Sequence, residues 1–167
     1  IFDKYFIKEF SLKNFCLDDK DFYESENIAE PFYFDKKNKK FINVEKKNYK
    51  NILLAGSFSI SLFDTKKIIK SLFDDNSIFS NLFTCGKNKK CRNKRCLCKK
   101  NFEIYYGYGC RIFKTKKYDV FFHKGSLSGI RTLIAFIPSL KIAIISYINT
   151  NDSDFIEKIF DKFISLL

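Results

Sequence analysis

Three apolar runs between residues 118 and 151 constrain this chain more than any other feature. The first, Val120-Phe121-Phe122, ends in His123-Lys124-Gly125-Ser126. Gly129 opens the second, residues 130–137. Pro138-Ser139-Leu140-Lys141 turns the chain into the third, residues 142–148. Short runs rich in β-branched and aromatic residues and bounded by Gly or Pro read as strands. Links this short cannot cross over a sheet, so the strands must be antiparallel neighbours. Asn151-Asp152-Ser153 then offers caps for a closing helix over residues 153–167. Phe155, Ile156, Ile159, Phe160, Phe163, Ile164 and Leu167 form its apolar stripe, which is buried most simply on the sheet. The fold class expected is α/β in the α+β sense, a mainly antiparallel sheet with flanking helices.

Upstream the pattern is weaker. Residues 1–10 alternate apolar and charged positions at helical spacing. Residues 18–50 are polar, with strand pieces expected at 28–33 and 41–44. Ser61 is a good N-cap, and Asp64 three residues later completes a capping box with Asp in the usual Glu place. The helix expected from there runs over about residues 62–73, with Ile68, Ile69, Leu72 and Phe73 on its apolar side. Residues 102–113 read as one strand, with Phe102, Ile104, Tyr106, Tyr108, Cys110 and Ile112 on one face.

The chain of 167 residues is long enough for one domain with a real core, and it is read as a single domain over residues 1–167. Its net charge of +12 raises the question of polyanion binding. Eight of the cations fall between Lys87 and Lys100 with no acid among them, and no aromatic is interleaved there to stack on bases. That distribution favours a solvated basic loop over a nucleic-acid site. No apolar run approaches the roughly 20 residues that span a bilayer. The first residue is Ile and Met is absent, so a processed product, an excised domain or a fragment is expected.

Several short motifs point to one family. His123-Lys124-Gly125-Ser126-Leu127-Ser128-Gly129 matches the pattern His-x-Gly-Gly/Ser-x-x-Gly. Tyr106-Gly107-Tyr108-Gly109 matches Tyr-Gly-x-Gly-Trp in part. Ala29-Glu30-Pro31-Phe32 is similar to Ala-x-Pro-Tyr, and Leu53 to Asp64 to Ala-Gly-Gly-Leu-x-Ser-Thr-x-x-Asp. Phe10, Leu12 and Asn14 fit a Pro-Leu-Gly-Met-x-Asn-Thr segment more loosely. Together these resemble the C-terminal part of the serine β-lactamase and penicillin-binding-protein-like hydrolases, in the class C-type, esterase-like branch. The resemblance implies a β-lactamase/transpeptidase-like fold, N-terminally incomplete, whose upstream half is a partner. It implies acyl-enzyme hydrolysis or transfer on a small-molecule or peptide ester or amide, without a cofactor or a metal. It implies that His123, Lys124, Gly125 and Ser126 form one wall of the active site. Gly125 keeps the strand edge open to substrate, and the Ser126 backbone N–H is half of an oxyanion hole. By the same resemblance the compartment would be the cell envelope or periplasm.

The nucleophile of that family is missing. Ser-x-x-Lys is required, and no Ser here has Lys three residues on. Tyr49-Lys50-Asn51 fits the family's Tyr-x-Asn by letters, but it stands just before the Ala-Gly turn, the wrong place. Two alternatives to a hydrolase part therefore stand: a non-catalytic binding or structural relic of the fold, and a zinc- or polyanion-binding module. The last rests on a basic insertion at about residues 84–101 that holds Cys85, Cys91, Cys96 and Cys98. Their spacing is too wide in the first gap and too narrow in the last for a zinc ribbon. Metal binding, disulfides and free thiols all stay open there, free thiols being favoured. Cys16 and Cys110 read as core or strand residues.

Overall fold

A computed structural model describes residues 3–16, 28–45, 56, 58–74, 104–106 and 109–166. The basic insertion with its four cysteines lies outside the described residues, as does Tyr49-Lys50-Asn51. The chain groups into two units. One comprises Ile1–Ile68, Gly125–Thr132 and Tyr147–Asp152; the other comprises Ile69–Lys124, Leu133–Ser146 and Ser153–Leu167.

The described strands are β1 (Phe15–Cys16), β2 (Phe32–Asp35), β3 (Lys40–Asn43), β4 (Ser59–Ile60), β5 (Ile104–Tyr106), β6 (Arg111–Lys114), β7 (Asp119–Leu127), β8 (Ile130–Ile137) and β9 (Ile142–Ile148). Two α-helices, α1 (Leu62–Ser71) and α2 (Ser153–Ser165), accompany them. Strands β5 to β9 form one five-stranded sheet in chain order. β7 and β8 are joined by Ser128-Gly129 alone, which makes them an antiparallel hairpin. β8 and β9 are joined by a 3-10 turn, Pro138–Leu140, and by Lys141 in the left-handed conformation (φ 53°). The expected meander and closing helix are therefore present.

Four boundaries differ from the sequence reading. Residues 102–113 are not one strand: β5 turns back on β6, with Tyr106 paired to Arg111 and Tyr105 to Ile112. Gly109, at φ +75°, lets the backbone reverse there. Tyr105, not Tyr106, therefore shares the face of Ile112, and Tyr106 stands exposed. The first strand piece begins only at Phe32. The N-terminal helix is a short π-helical segment, Asp3–Lys8. α1 stops at Ser71, and Leu72 and Phe73 follow as a turn.

In the second unit, apolar side chains on both faces of the sheet are buried. On one face Ile112, Phe121 and Phe136 form a core against which Leu72, Phe73, Cys110, Ile134 and Ala143 pack. The rings of Phe121 and Phe136 stack at 5.6 Å. On the other face Phe122 meets Phe160 of α2 at 4.7 Å. α2 buries Ile156, Phe160 and Phe163. At about 1.5–3 kcal/mol for each large side chain, that stripe contributes on the order of 5–9 kcal/mol. No single helix cap approaches this figure.

Candidate functional site

Strand β7 runs for nine residues but is paired to β6 over only part of that length. The ladder pairs Lys114 with Asp119, Phe113 with Val120, Ile112 with Phe121 and Arg111 with Phe122. β6 begins at Arg111, so among the described residues the ladder ends at Phe122. His123, Lys124, Gly125, Ser126 and Leu127 continue β7 beyond that point.

Side chains alternate along a strand, so these residues do not act as one surface. His123 lies on the face of Phe121 and is exposed. Partial desolvation by the surrounding sheet, and then the Arg111 guanidinium, hold its pKa below the ordinary imidazole value of 6.5. A neutral ring, able to accept or relay a proton, is therefore the dominant form at neutral pH. Lys124 turns to the opposite face. Its Nζ donates to both carboxylate oxygens of Glu157 in α2, each at 2.8 Å. The same ammonium lies 5.2 Å from the Phe160 ring centroid and 5.9 Å from that of Phe122. Of the four sequence-predicted site residues, Lys124 is thus engaged by the closing helix. The period of two already places Lys124 opposite His123; the partner Glu157 had no signal in the sequence.

In the first unit, the Ser128-Gly129 turn sets Gly125 opposite Thr132. A Cβ at Gly125 would lie 2.3 Å from Thr132 Oγ1. A side chain at this position would first meet the Thr132 side chain of the next strand. Ser126 is exposed. Arg131 Nη1 donates to the carbonyls of Leu127 (2.6 Å) and Ile130 (2.8 Å), which fastens the hairpin end. Gly129, at φ +70°, sits directly against Pro31 and Phe32. Phe32 N in turn donates to the Asn149 carbonyl (2.9 Å), Asn149 Nδ2 to the Glu30 carbonyl (2.9 Å) and Phe34 N to Asn151 Oδ1 (2.7 Å). The Ala-x-Pro-Tyr-like segment and residues 149–151 are therefore joined by hydrogen bonds, and the last glycine of the strand-end motif packs against the first of them.

A second assembly is built on Asp64, whose side chain is only 2% exposed. Its amide donates to Ser61 Oγ (3.1 Å), so half of the expected capping box is made. The reciprocal half is not, because the Ser61 amide donates to the Asn14 carbonyl. The Asp64 carboxylate instead accepts from the amides of Lys13 (2.8 Å) and Asn14 (2.5 Å) and from Lys67 Nζ (2.7 Å). Burial raises its pKa, but the Lys67 hydrogen bond and the two amides outweigh burial, and the net shift is downward. Thr65 beside it shares a hydrogen bond with the Tyr147 hydroxyl at 2.7 Å. The capping pattern alone did not reveal that Asp64 holds a distant loop. The family-like motifs at residues 10–14 and 61–64 meet through this carboxylate.

Among the described residues no group of His, Cys, Asp and Glu is arranged to hold a metal ion. No helix among them is long and apolar enough to cross a membrane.

No protein-family profile matches the chain, and no curated protein matches it. Solved structures do. The octameric penicillin-binding protein homologue from Pyrococcus abyssi superposes with a TM-score of 0.68 at 16% identity, over 88% of this chain and 32% of that one. A D-stereospecific amidohydrolase from Streptomyces sp. superposes with a TM-score of 0.63 at 14% identity, over 89% of this chain and 43% of that one. This is the β-lactamase/transpeptidase-like fold. The chain thus spans about a third of the first relative and less than half of the second. At these identities the likeness is one of β-lactamase/transpeptidase-like architecture, and residue roles come from the geometry of the site.

Proposed function

We propose that this chain carries the strand wall of a serine hydrolase active site that forms and resolves an acyl-enzyme on an ester or amide. The observation that supports the reading most directly is the stretch of β7 beyond Phe122, which runs past its β6 ladder and carries Gly125 and Ser126. An extended ester- or amide-bearing substrate lies along such a strand by main-chain pairing. The Ser126 N–H then faces the carbonyl oxygen on which negative charge develops. One preorganised donor of this kind lowers the barrier by about 2.7–4 kcal/mol. His123, held neutral three residues earlier on β7, is the titratable group able to accept or return a proton. Lys124 supports the wall from behind by its bond to Glu157.

The nucleophile of this chemistry is a serine whose proton is drawn off by a lysine one helical turn away. No such pair exists in the 167 residues. On the hydrolase reading it is supplied from outside them, by an upstream segment of the same polypeptide or by another chain. The absence of Ser-x-x-Lys also favours a second reading, a binding module on the same fold without turnover.

Covalent labelling separates the readings. Neither a fluorophosphonate nor a fluorescent penicillin is expected to label a serine of these 167 residues; labelling here would overturn the assignment. With a Ser-x-x-Lys-bearing segment joined to the chain, a hydrolase turns over an ester and the label appears on that serine. His123→Ala then lowers turnover. Gly125→Val abolishes it, and does so also in a Thr132→Ala background that removes the internal clash. Full turnover by that double variant would refute the substrate-pairing role. Failure of the joined protein to label at all supports the binding-module reading.

A further inference from the structure

The hairpin of β2 and β3 carries a surface that the strand wall does not use. Lys36, Lys37, Lys39 and Lys40 are all exposed at or beside its tip. Three large apolar side chains stand exposed on its strands: Tyr33 (50%), Phe41 (63%) and Ile42 (42%). The only acid of the tip shapes the turn. Asp35 Oδ1 accepts from the amides of Lys37 (2.9 Å) and Asn38 (3.3 Å), and Oδ2 from Asn38 Nδ2 (2.6 Å). The tip is therefore a cationic turn shaped by that carboxylate.

The register sorts the apolar side chains. Tyr33 pairs with Ile42 and Asp35 with Lys40, so Tyr33, Asp35, Ile42 and Lys40 share one face, where the Asp35 carboxylate accepts the tip's own hydrogen bonds. Phe41 pairs with Phe34 on the other, where its ring meets Phe34 at 5.0 Å and Phe32 at 6.3 Å. A single-stranded nucleic acid needs aromatics on a common face so that successive bases can stack. On the Phe41 face Phe32 and Phe34 are half-buried and Phe41 alone of the three stands exposed, and on the opposite face the neighbour of Tyr33 is aliphatic. An aromatic and an aliphatic side chain beside a row of lysines match instead the headgroup zone of a bilayer. There tyrosine and aliphatic groups enter the acyl boundary while lysine amines reach the phosphates.

We propose that the β2–β3 hairpin lies flat on a bilayer of anionic lipids, with Tyr33 and Ile42 in the interface and Lys36, Lys37, Lys39 and Lys40 on the headgroup phosphates. The chain has no tryptophan, so Tyr33→Trp creates a unique reporter that keeps the amphipathic character of the site. The 167-residue chain with this change is mixed with phosphatidylcholine vesicles, with or without phosphatidylserine. On phosphatidylserine vesicles the emission shifts to the blue and is quenched by lipids brominated near the headgroup end of the acyl chain. On phosphatidylcholine alone neither occurs. Combining Lys37→Gln, Lys39→Gln and Lys40→Gln weakens binding on the order of a hundredfold, with an unchanged thermal melt. The proposal is overturned if the protein does not bind phosphatidylserine vesicles. It is equally overturned if it binds them with the tryptophan unquenched, which places the contact elsewhere, such as the basic segment near residue 90. A tryptophan that responds to single-stranded RNA and not to vesicles also overturns it.

Discussion

Gly129 offers the sharpest test of how the strand-end motif is held. Replacing it with alanine introduces two costs that the structure separates. The backbone sits at φ +70°, where a Cβ costs about 1–2 kcal/mol. The new methyl would also lie 2.8 Å from Pro31 Cβ, 2.9 Å from Phe32 N and 3.1 Å from Phe32 O. Two of these three are backbone atoms of a segment tied by hydrogen bonds to Asn149 and Asn151, so they cannot retreat freely. Overpacking of this kind costs about 1–3 kcal/mol. Gly129→Ala should therefore lose about 2–5 kcal/mol, which lowers the melting temperature by roughly 5–15 °C in a chain of this size. Gly109→Ala is the control, since its φ is +75° and nothing lies within 4 Å of the added Cβ. It should lose only the conformational part, about 1–2 kcal/mol. Denaturant melts followed by circular dichroism measure both variants. Equal losses at the two glycines would refute the argument that the Pro31–Phe32 backbone requires Gly129.

Three further outcomes follow from the charged groups. Asp64→Asn leaves the Lys13 and Asn14 amides and Lys67 competing for one acceptor, and should cost about 2–4 kcal/mol. The folded pKa of Asp64 lies below its unfolded value, so its stabilisation is complete above the ordinary carboxylate value and disappears as pH falls through the folded one. The gap between wild type and Asp64→Asn should be flat above about pH 5 and close in more acid solution, as read by pH-dependent melts. His123 is the single histidine of the chain, so its proton-NMR titration is unambiguous. The midpoint should lie below 6.5 and rise in Arg111→Gln; with its folded pKa depressed, His123 costs stability as pH falls from the unfolded value towards the folded one. For the partly buried Lys124–Glu157 pair, a double-mutant cycle of Lys124→Met and Glu157→Gln should return a coupling of about 1 kcal/mol, and no coupling would remove Lys124 as a support of the wall.

Much of the fold was legible because it is local. Apolar runs at strand length, a Ser-Gly link of two residues and a Pro turn leave β7, β8 and β9 little choice but a meander, and the stripe around Ile156, Phe160 and Phe163 leaves α2 little choice but the sheet. The exception within this region, the reading of residues 102–113 as one strand, has a local cause too. Alternation is unbroken through Gly107-Tyr108-Gly109 in the letters, and only the left-handed backbone at Gly109 reveals the reversal. What tertiary structure alone decided is which distant groups meet. Phe34 and Asn151, 117 residues apart, share a hydrogen bond, and Asp64 reaches back 50 and 51 residues to Asn14 and Lys13. No periodicity carries such information, because it depends on where whole elements pack. The strand-end motif shows both levels at once. Period two puts His123 and Lys124 on opposite faces whatever the fold, but only the docking of α2 makes Lys124 a partner of Glu157 and leaves His123 on the other side of the strand.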